Sequence, residues 1–303
     1  MKKSHSEGGL TSNLLKKPIK RWGLLFLGPT LACFLIGFVW PFIQGIWLSF
    51  CKFRLTSDAK FVGLANYFEA FKDITFLYSF GYTALFAVVS VVLINLFAFL
   101  IALALTKGIK GSNVFRTVFF MPNLIGGIVL GYIWSMIFDG VLSRFATNIL
   151  MEAKYGFWGL VIVMCWQQIG YMMIIYIAGL QAIPEDMMEA ASIDGASSLQ
   201  TLFKITLPNV MPSITICMFL TLSNSFKLFD QNLALTGGQP FGFLADGTSI
   251  HKTEMLALNI YNTFYVSSNL RGVAQAKAVI FFILVAAISL IQLRATRSRE
   301  VQQ

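Results

Sequence analysis

Charge is scarce in this chain and unevenly placed. Only 12% of the 303 residues are Asp, Glu, Lys or Arg, about half the proportion of a soluble domain. Residues 22–51, 74–106, 117–138, 155–184, 205–226 and 278–293 carry none. Histidine is nearly missing as well. His5 and His251 are far apart, which argues against a zinc site and a His-based triad. The four cysteines, Cys33, Cys51, Cys165 and Cys217, include no Cys-x-x-Cys pair. They read as small packing residues, and neither a disulfide framework nor a metal site is expected. No Gly-x-x-x-x-Gly-Lys-Ser/Thr loop is present. The nearest approach, Gly237 to Gly242, runs into Phe243 and lacks a lysine to reach a phosphate. If ATP is used, another subunit must bind it. The chain itself is expected to be no enzyme and to hold no cofactor.

What the chain has is apolar length. Hydrophobic residues make up 56% of it, and a span needs roughly 20 of them in succession. Six transmembrane helices are expected, at 23–49, 79–106, 117–138, 156–181, 209–234 and 273–293. The runs are continuously apolar and do not alternate, so a helix bundle is favoured over a barrel. The fold class is all-α and polytopic. The first run is too long for a signal peptide and lacks a small-x-small cleavage site, so an uncleaved span is expected.

The net charge of +9 raises nucleic acid as a partner, but the placement of the charges points to topology. Lys2, Lys3, Lys16, Lys17, Lys20 and Arg21 precede the first span, and Arg294, Arg297 and Arg299 follow the last. Six spans put both ends on one side, and the positive-inside rule makes that side the cytoplasm. Thirteen Lys/Arg then lie inside and eight outside. The expected organisation is a basic cytoplasmic terminus at 1–22, a six-span domain at 23–293, and a cytoplasmic tail at 294–303, in a bacterial plasma membrane.

The inner loop 182–208 is polar. Pro184 suits a first helical turn, and Glu185 and Asp186 favour its positive dipole end. Met187 to Ile193 can form a short helix. Asp194-Gly195 reads as a turn. Ser197 can cap a second helix through about Ile205, and Pro208 should end it before the fifth span. Small Ala190, Ala191 and Ala196 would let a partner backbone approach, and Glu189 offers a carboxylate to a partner Arg or Lys. Four carboxylates in this loop, Glu185, Asp186, Glu189 and Asp194, lack a pocket and are not read as catalytic.

The string Glu189-Ala190-Ala191-Ser192-Ile193-Asp194-Gly195-Ala196, trailed by Phe203-Lys204-Ile205-Thr206-Leu207-Pro208, resembles the EAA motif of binding-protein-dependent ABC transporter permeases, most of all the carbohydrate-uptake branch. Weaker matches extend over nearly the whole chain. They include Gly28-Pro29, Gly63-Leu64-Ala65-Asn66-Tyr67, Met121-Pro122, Ala178 to Pro184, Phe226 to Asp230, and Leu235-Thr236-Gly237-Gly238. The resemblance implies that Glu189, Ala190, Ala191, Asp194 and Gly195 form a helix that docks in a cleft of a cytoplasmic ATPase. It also implies a second, homologous permease as partner, two ATP-binding subunits and an external solute-binding protein. The start of the first span and the outer loop with Tyr67 resemble the first-permease type.

Asn224, Lys227 and Asp230 follow one another at intervals of three, which puts them on one face of an unbroken fifth span. Charges at membrane depth face a cavity or each other, so Lys227 and Asp230 either neutralise one another or line a polar path for a hydroxyl-rich solute. Trp166, Gln167, Gln168 and Tyr171 form a second cluster with the aromatic and amide groups that suit sugars. Helical geometry allows only part of it onto one path. Gln167, Tyr171, Asn224, Lys227 and Asp230 are the path candidates. Lys277 either snorkels outward from the sixth span or adds charge to the path. Asn95 reads as glue between helices. Gly237 to Pro240 should turn on the outer side, and Tyr261, Phe264 and Tyr265 either meet the binding protein or mark the lipid interface. The competing class is an ion-coupled sugar carrier acting alone, with Lys227 and Asp230 as the ion site. Against it stands the lack of a clear pair of broken helices.

Overall fold

A computed structural model of the chain describes residue 25, residues 27–244 and residues 247–297. The basic segment expected at 1–22, and the end of the tail, lie outside the described residues. Among the described residues, six helical runs are long and apolar enough to cross a membrane. They are Leu27–Ser49, Ile74–Thr106, Gly127–Phe145, Ala153–Gln181, Ser198–Phe226 and Ser268–Thr296. The second, with 33 residues, is about 50 Å long. That exceeds the roughly 30 Å of a hydrocarbon core, so it tilts or projects.

The fourth span is the most buried of the six and forms the centre of the bundle. It packs lengthwise on the second span and also on the fifth, while the sixth joins the fifth to the first. The core they share contains Phe86, Ile94, Leu160, Met164, Met172, Tyr176, Val210 and Cys217. Lipid is as apolar as these side chains, so close fit and polar contacts hold the helices together. Gly170 supplies the close fit. A Cβ there would overlap the carbonyl oxygen of Phe119, so only glycine lets the helix Ser112–Phe120 lie against the fourth span. Asn95 supplies the polar contact. Its amide donates to Thr221 Oγ1 at 3.0 Å, and its carbonyl accepts from the Tyr176 hydroxyl at 2.7 Å. Three spans are thereby joined, as expected of interhelical glue, at about 0.6 kcal/mol per bond.

Two expected spans are interrupted. The stretch 117–138 divides into a helix Ser112–Phe120, a 3-10 turn Met121–Leu124 and a new helix from Gly127. Pro122 lacks an amide hydrogen and Gly126 takes an extended conformation, so the ladder cannot run through. The stretch 209–234 ends its helix at Phe226 and resumes as Asp230–Leu235. Here Thr221 and Ser225 bond back to the carbonyls of Cys217 and Thr221, which loosens the last turns. Conversely, Pro208 does not end a helix. Ser198–Phe226 is one helical run in which Leu202–Thr206 widens into a π-turn. The extra residue in that turn relieves the clash of the Pro208 ring with the preceding turn.

At one end of the bundle the described residues form two small antiparallel pairs, Cys51–Lys52 with Lys60–Phe61 and Phe241–Phe243 with Ser249–His251. The expected turn before the second pair is present, with positive φ at Gly237 and Gly238. Lys277 neither snorkels nor lines a path. Its side chain is fully buried at this end, bonded to Asp73, Asn259 and Thr263. An aliphatic stem surrounded by three oxygen acceptors has no reason to reach for water.

Candidate functional site

The two interrupted helices meet. A Cβ at Gly127, where the third span restarts, would lie 2.7 Å from Cβ of Asp230, where the short helix starts. One turn on, a Cβ at Gly131 would lie 2.5 Å from Cβ of Ala234. Two small positions four residues apart thus let the backbones touch. Helix interruption at membrane depth is tolerated only where the freed backbone groups find partners or line a cavity. Both occur here. Gln167 of the fourth span donates Nε2 to the freed carbonyl of Ile125 at 3.1 Å, and Gln231 donates to Gln167 Oε1 at 2.7 Å.

Beside this junction lies an open cavity of ≈ 320 Å³. Gln167, Gln168, Asn224, Lys227, Asp230 and Gln231 give it a polar wall, and Leu228, Phe229 and Gly127 complete it. Asn224 donates to Gln168 Oε1 at 3.4 Å. Lys227 and Asp230 are exposed. Among the described residues they form no ion pair with each other or with any other group. Of the two expected alternatives, the mutually neutralising pair therefore does not form, and the shared helical face is corrected. Asn224 lies in the span, Lys227 closes it, and Asp230 opens the next helix. The break, not a helical stripe, brings the three together.

Four of the five path candidates thus line one cavity. Tyr171 does not. Its ring packs on Phe120 at 6.4 Å between centroids. Trp166 is likewise turned away, against Trp134 at 5.4 Å. Gln231, Phe229 and Gly127 were missed: a continuous fifth span would carry Phe229 off the face of Asn224, and Gly127 belongs to another span. The sequence signal for Gln231 was its place seven residues after Asn224, on the same helical face. Chemically, the wall combines three glutamine amides, an asparagine amide, an ammonium and a carboxylate. Such a set donates and accepts many bonds at once, as a polyhydroxyl solute requires.

A second feature stands at the other end of the bundle. The helix Glu185–Ile193 ends on Asp194, Gly195 follows at φ 71, and Ala196 donates to the Ala191 carbonyl at 2.9 Å. Ser197 and Gln200 then form a reciprocal cap on the next helix, with Ser197 N donating to Gln200 Oε1 at 2.8 Å. The turn is therefore stiff. Glu189, Ala190, Asp194 and Gly195 are exposed, and nothing lies within 4 Å of a Cβ built on Gly195. Ala191 is buried against its own chain, which corrects its expected place on the partner-facing surface. Ile193 is missing from the expected set and is 86% exposed.

Residues 94–299 match the family described as binding-protein-dependent transport system inner membrane component. The chain is 44% identical over 289 residues to a probable starch degradation products transport system permease protein, AmyD, of Thermoanaerobacterium thermosulfurigenes, covering 93% of this chain and 96% of that one. It is 32% identical to the multiple sugar-binding transport system permease protein MsmF of Streptococcus mutans, covering 93% and 97%. In fold it is similar to a bacterial ABC transporter involved in the import of the acidic polysaccharide alginate. The TM-score is 0.76 at 20% identity, over 94% of this chain and 98% of that one.

Proposed function

The chain belongs to the inner membrane components of binding-protein-dependent transport systems, and from that premise we propose that it conducts an oligosaccharide through the membrane as one permease subunit of an ATP-driven importer. The observation that carries the reading is the open cavity at the meeting of two helix breaks, with its polar wall of Gln167, Gln168, Asn224, Lys227, Asp230 and Gln231. A solute dense in hydroxyls is the ligand class that such amides and charges fit. The names of AmyD and MsmF point to sugars as well.

The cavity is half a path. A second, homologous permease closes its open side. The exposed turn with Glu189, Ala190, Asp194, Gly195 and Ile193 docks on one of two ATP-binding subunits. A solute-binding protein delivers sugar to the opposite end, where the two strand pairs lie. ATP binding favours the state open to the outside, and hydrolysis restores the state open to the inside. Differential contact of the ATPases with the two states drives the cycle. The termini are cytoplasmic, as their basic residues require.

One observation favours a second reading. Paired interrupted helices do occur, at 121–126 and 227–229, and an ion-coupled carrier commonly binds at such breaks. Family membership weighs against a chain that works alone. Purification from the native membrane in mild detergent, with mass spectrometry of the associated chains, separates the two. A second six-span permease and an ATPase support the importer, and the chain by itself supports the carrier.

A further inference from the structure

A groove of ≈ 440 Å³ lies next to the polar cavity, between the helix Leu256–Val266 and the start of the sixth span. Phe229 lines both, so the two are neighbours. From Phe229 a row of rings runs along the groove. Phe229 and Tyr261 are 5.1 Å apart between centroids, Tyr261 and Tyr265 4.5 Å, and Tyr265 and Phe264 5.1 Å.

The row is held from behind. On the far face of the same helix, Asn259 Oδ1 and Thr263 Oγ1 accept from Lys277 Nζ at 3.0 and 2.8 Å, and Asn259 Nδ2 donates to the buried Glu254 at 2.9 Å. The rings therefore stand on a fixed helix, and a ligand need not order them on binding. On the near face the hydroxyls of Tyr261 and Tyr265 and the amide of Gln275 make no hydrogen bond to any described residue. These three polar groups among the rings are free to bond a hydroxylated ligand.

A pyranose matches this pattern. Its axial C–H face is weakly positive and lies against the negative face of an aromatic ring. Its rim of hydroxyls then reaches tyrosine hydroxyls and amides. The groove is also within the size range of small-ligand sites. We propose that it is a second saccharide subsite, which holds one pyranose of a chain whose neighbouring unit occupies the polar cavity. The inference rests on the reading of that cavity as a sugar path. Oligosaccharides long enough to reach both sites gain the stacking contacts, so the groove sets a preference for length.

Uptake of radiolabelled α-1,4-linked glucose oligomers of one to four units, in cells expressing the whole transporter, tests this. The Tyr261→Ala/Tyr265→Ala variant should raise KM for the trimer and tetramer about tenfold, and far less for the single hexose. Tyr261→Phe/Tyr265→Phe keeps the stacking faces and should recover most of that loss. Asn224→Ala reports on the polar cavity independently. If it impairs uptake while the tyrosine variants do nothing at any length, the groove is no subsite. If neither matters, the cavity is not the path and the subsite falls with it. Loss of co-purifying permease in the alanine variant would make the groove a subunit interface and overturn the proposal.

Discussion

Lys277 Nζ lies 2.6 Å from Asp73 Oδ2, with the lysine side chain wholly withdrawn from solvent and the aspartate side chain 30% exposed. Asp73 also caps the second span by accepting from Thr75 N at 2.9 Å. One ion pair thus joins the sixth span to the first turn of the second, and through Asn259 and Thr263 to the helix that carries the aromatic row. Removing the lysine leaves a carboxylate partly buried without its counter-charge, at a cost of about 3 kcal/mol. Lys277→Met should lower the melting temperature of the detergent-solubilised protein clearly, and Asp73→Asn/Lys277→Met should recover part of the loss. An unchanged melting temperature in the single variant would show that the pair contributes nothing.

The same pair sets a pH dependence. Burial raises the Asp73 pKa, but the hydrogen bond and charge of Lys277, together with the bonds from Thr75, outweigh it and hold the carboxyl below its ordinary value. A carboxyl depressed by folding stabilises the native state fully above its unfolded pKa of about 3.9. That stabilisation fades as pH falls through the lower folded value. The melting temperature should therefore drop below about pH 4 more steeply in the natural protein than in Lys277→Met. Parallel curves for the two would contradict this origin.

Close approach at Gly170 admits no side chain. Gly170→Ala drives a methyl into the Phe119 carbonyl, and overpacking of this kind costs about 1–3 kcal/mol or more. The amount of protein accumulating in the membrane should fall. Gly81→Ala is the matched control, since nothing lies within 4 Å of a Cβ there and alanine is the better helix former. Equal accumulation of the two variants would mean that the helix Ser112–Phe120 does not rest on the fourth span as described.

How much of this was legible in the sequence depended on range. The second and fourth spans could be read because unbroken apolar runs announce themselves locally. The short helix at 185–193 could be read because Pro184, Gly195 and Ser197 each act within a turn. The breaks at 121–126 and 227–229 were missed because apolar sequence resumes beyond each, so that Pro122 and Lys227 were counted inside continuous spans. Pro208 misled for the opposite reason, since a π-turn absorbs it. Lys277 was unreadable, because its partner lies 204 positions away in the chain and nothing local reveals it. The polar cavity fell between these cases. Asn224, Lys227 and Asp230 were recognisable by type, but only the break explains why they converge.

At the exposed turn, Gly195→Asp adds a charged side chain on a backbone of positive φ, in space open to a partner. The variant should insert normally and lose uptake. Glu189→Lys should reduce the amount of ATPase that co-purifies. Full uptake by the first, or undiminished ATPase with the second, would remove the turn from the coupling route.

ATP is expected to drive a sugar past Lys227 and its neighbours. The most direct measurement is uptake of labelled maltotriose into proteoliposomes holding the co-purified complex and its binding protein, with ATP enclosed or omitted. Uptake is expected only with ATP, with at least a tenfold fall in Lys227→Gln and its melting temperature kept, since that side chain is exposed and forms no ion pair among the described residues. Uptake driven by an ion gradient without ATP would contradict it.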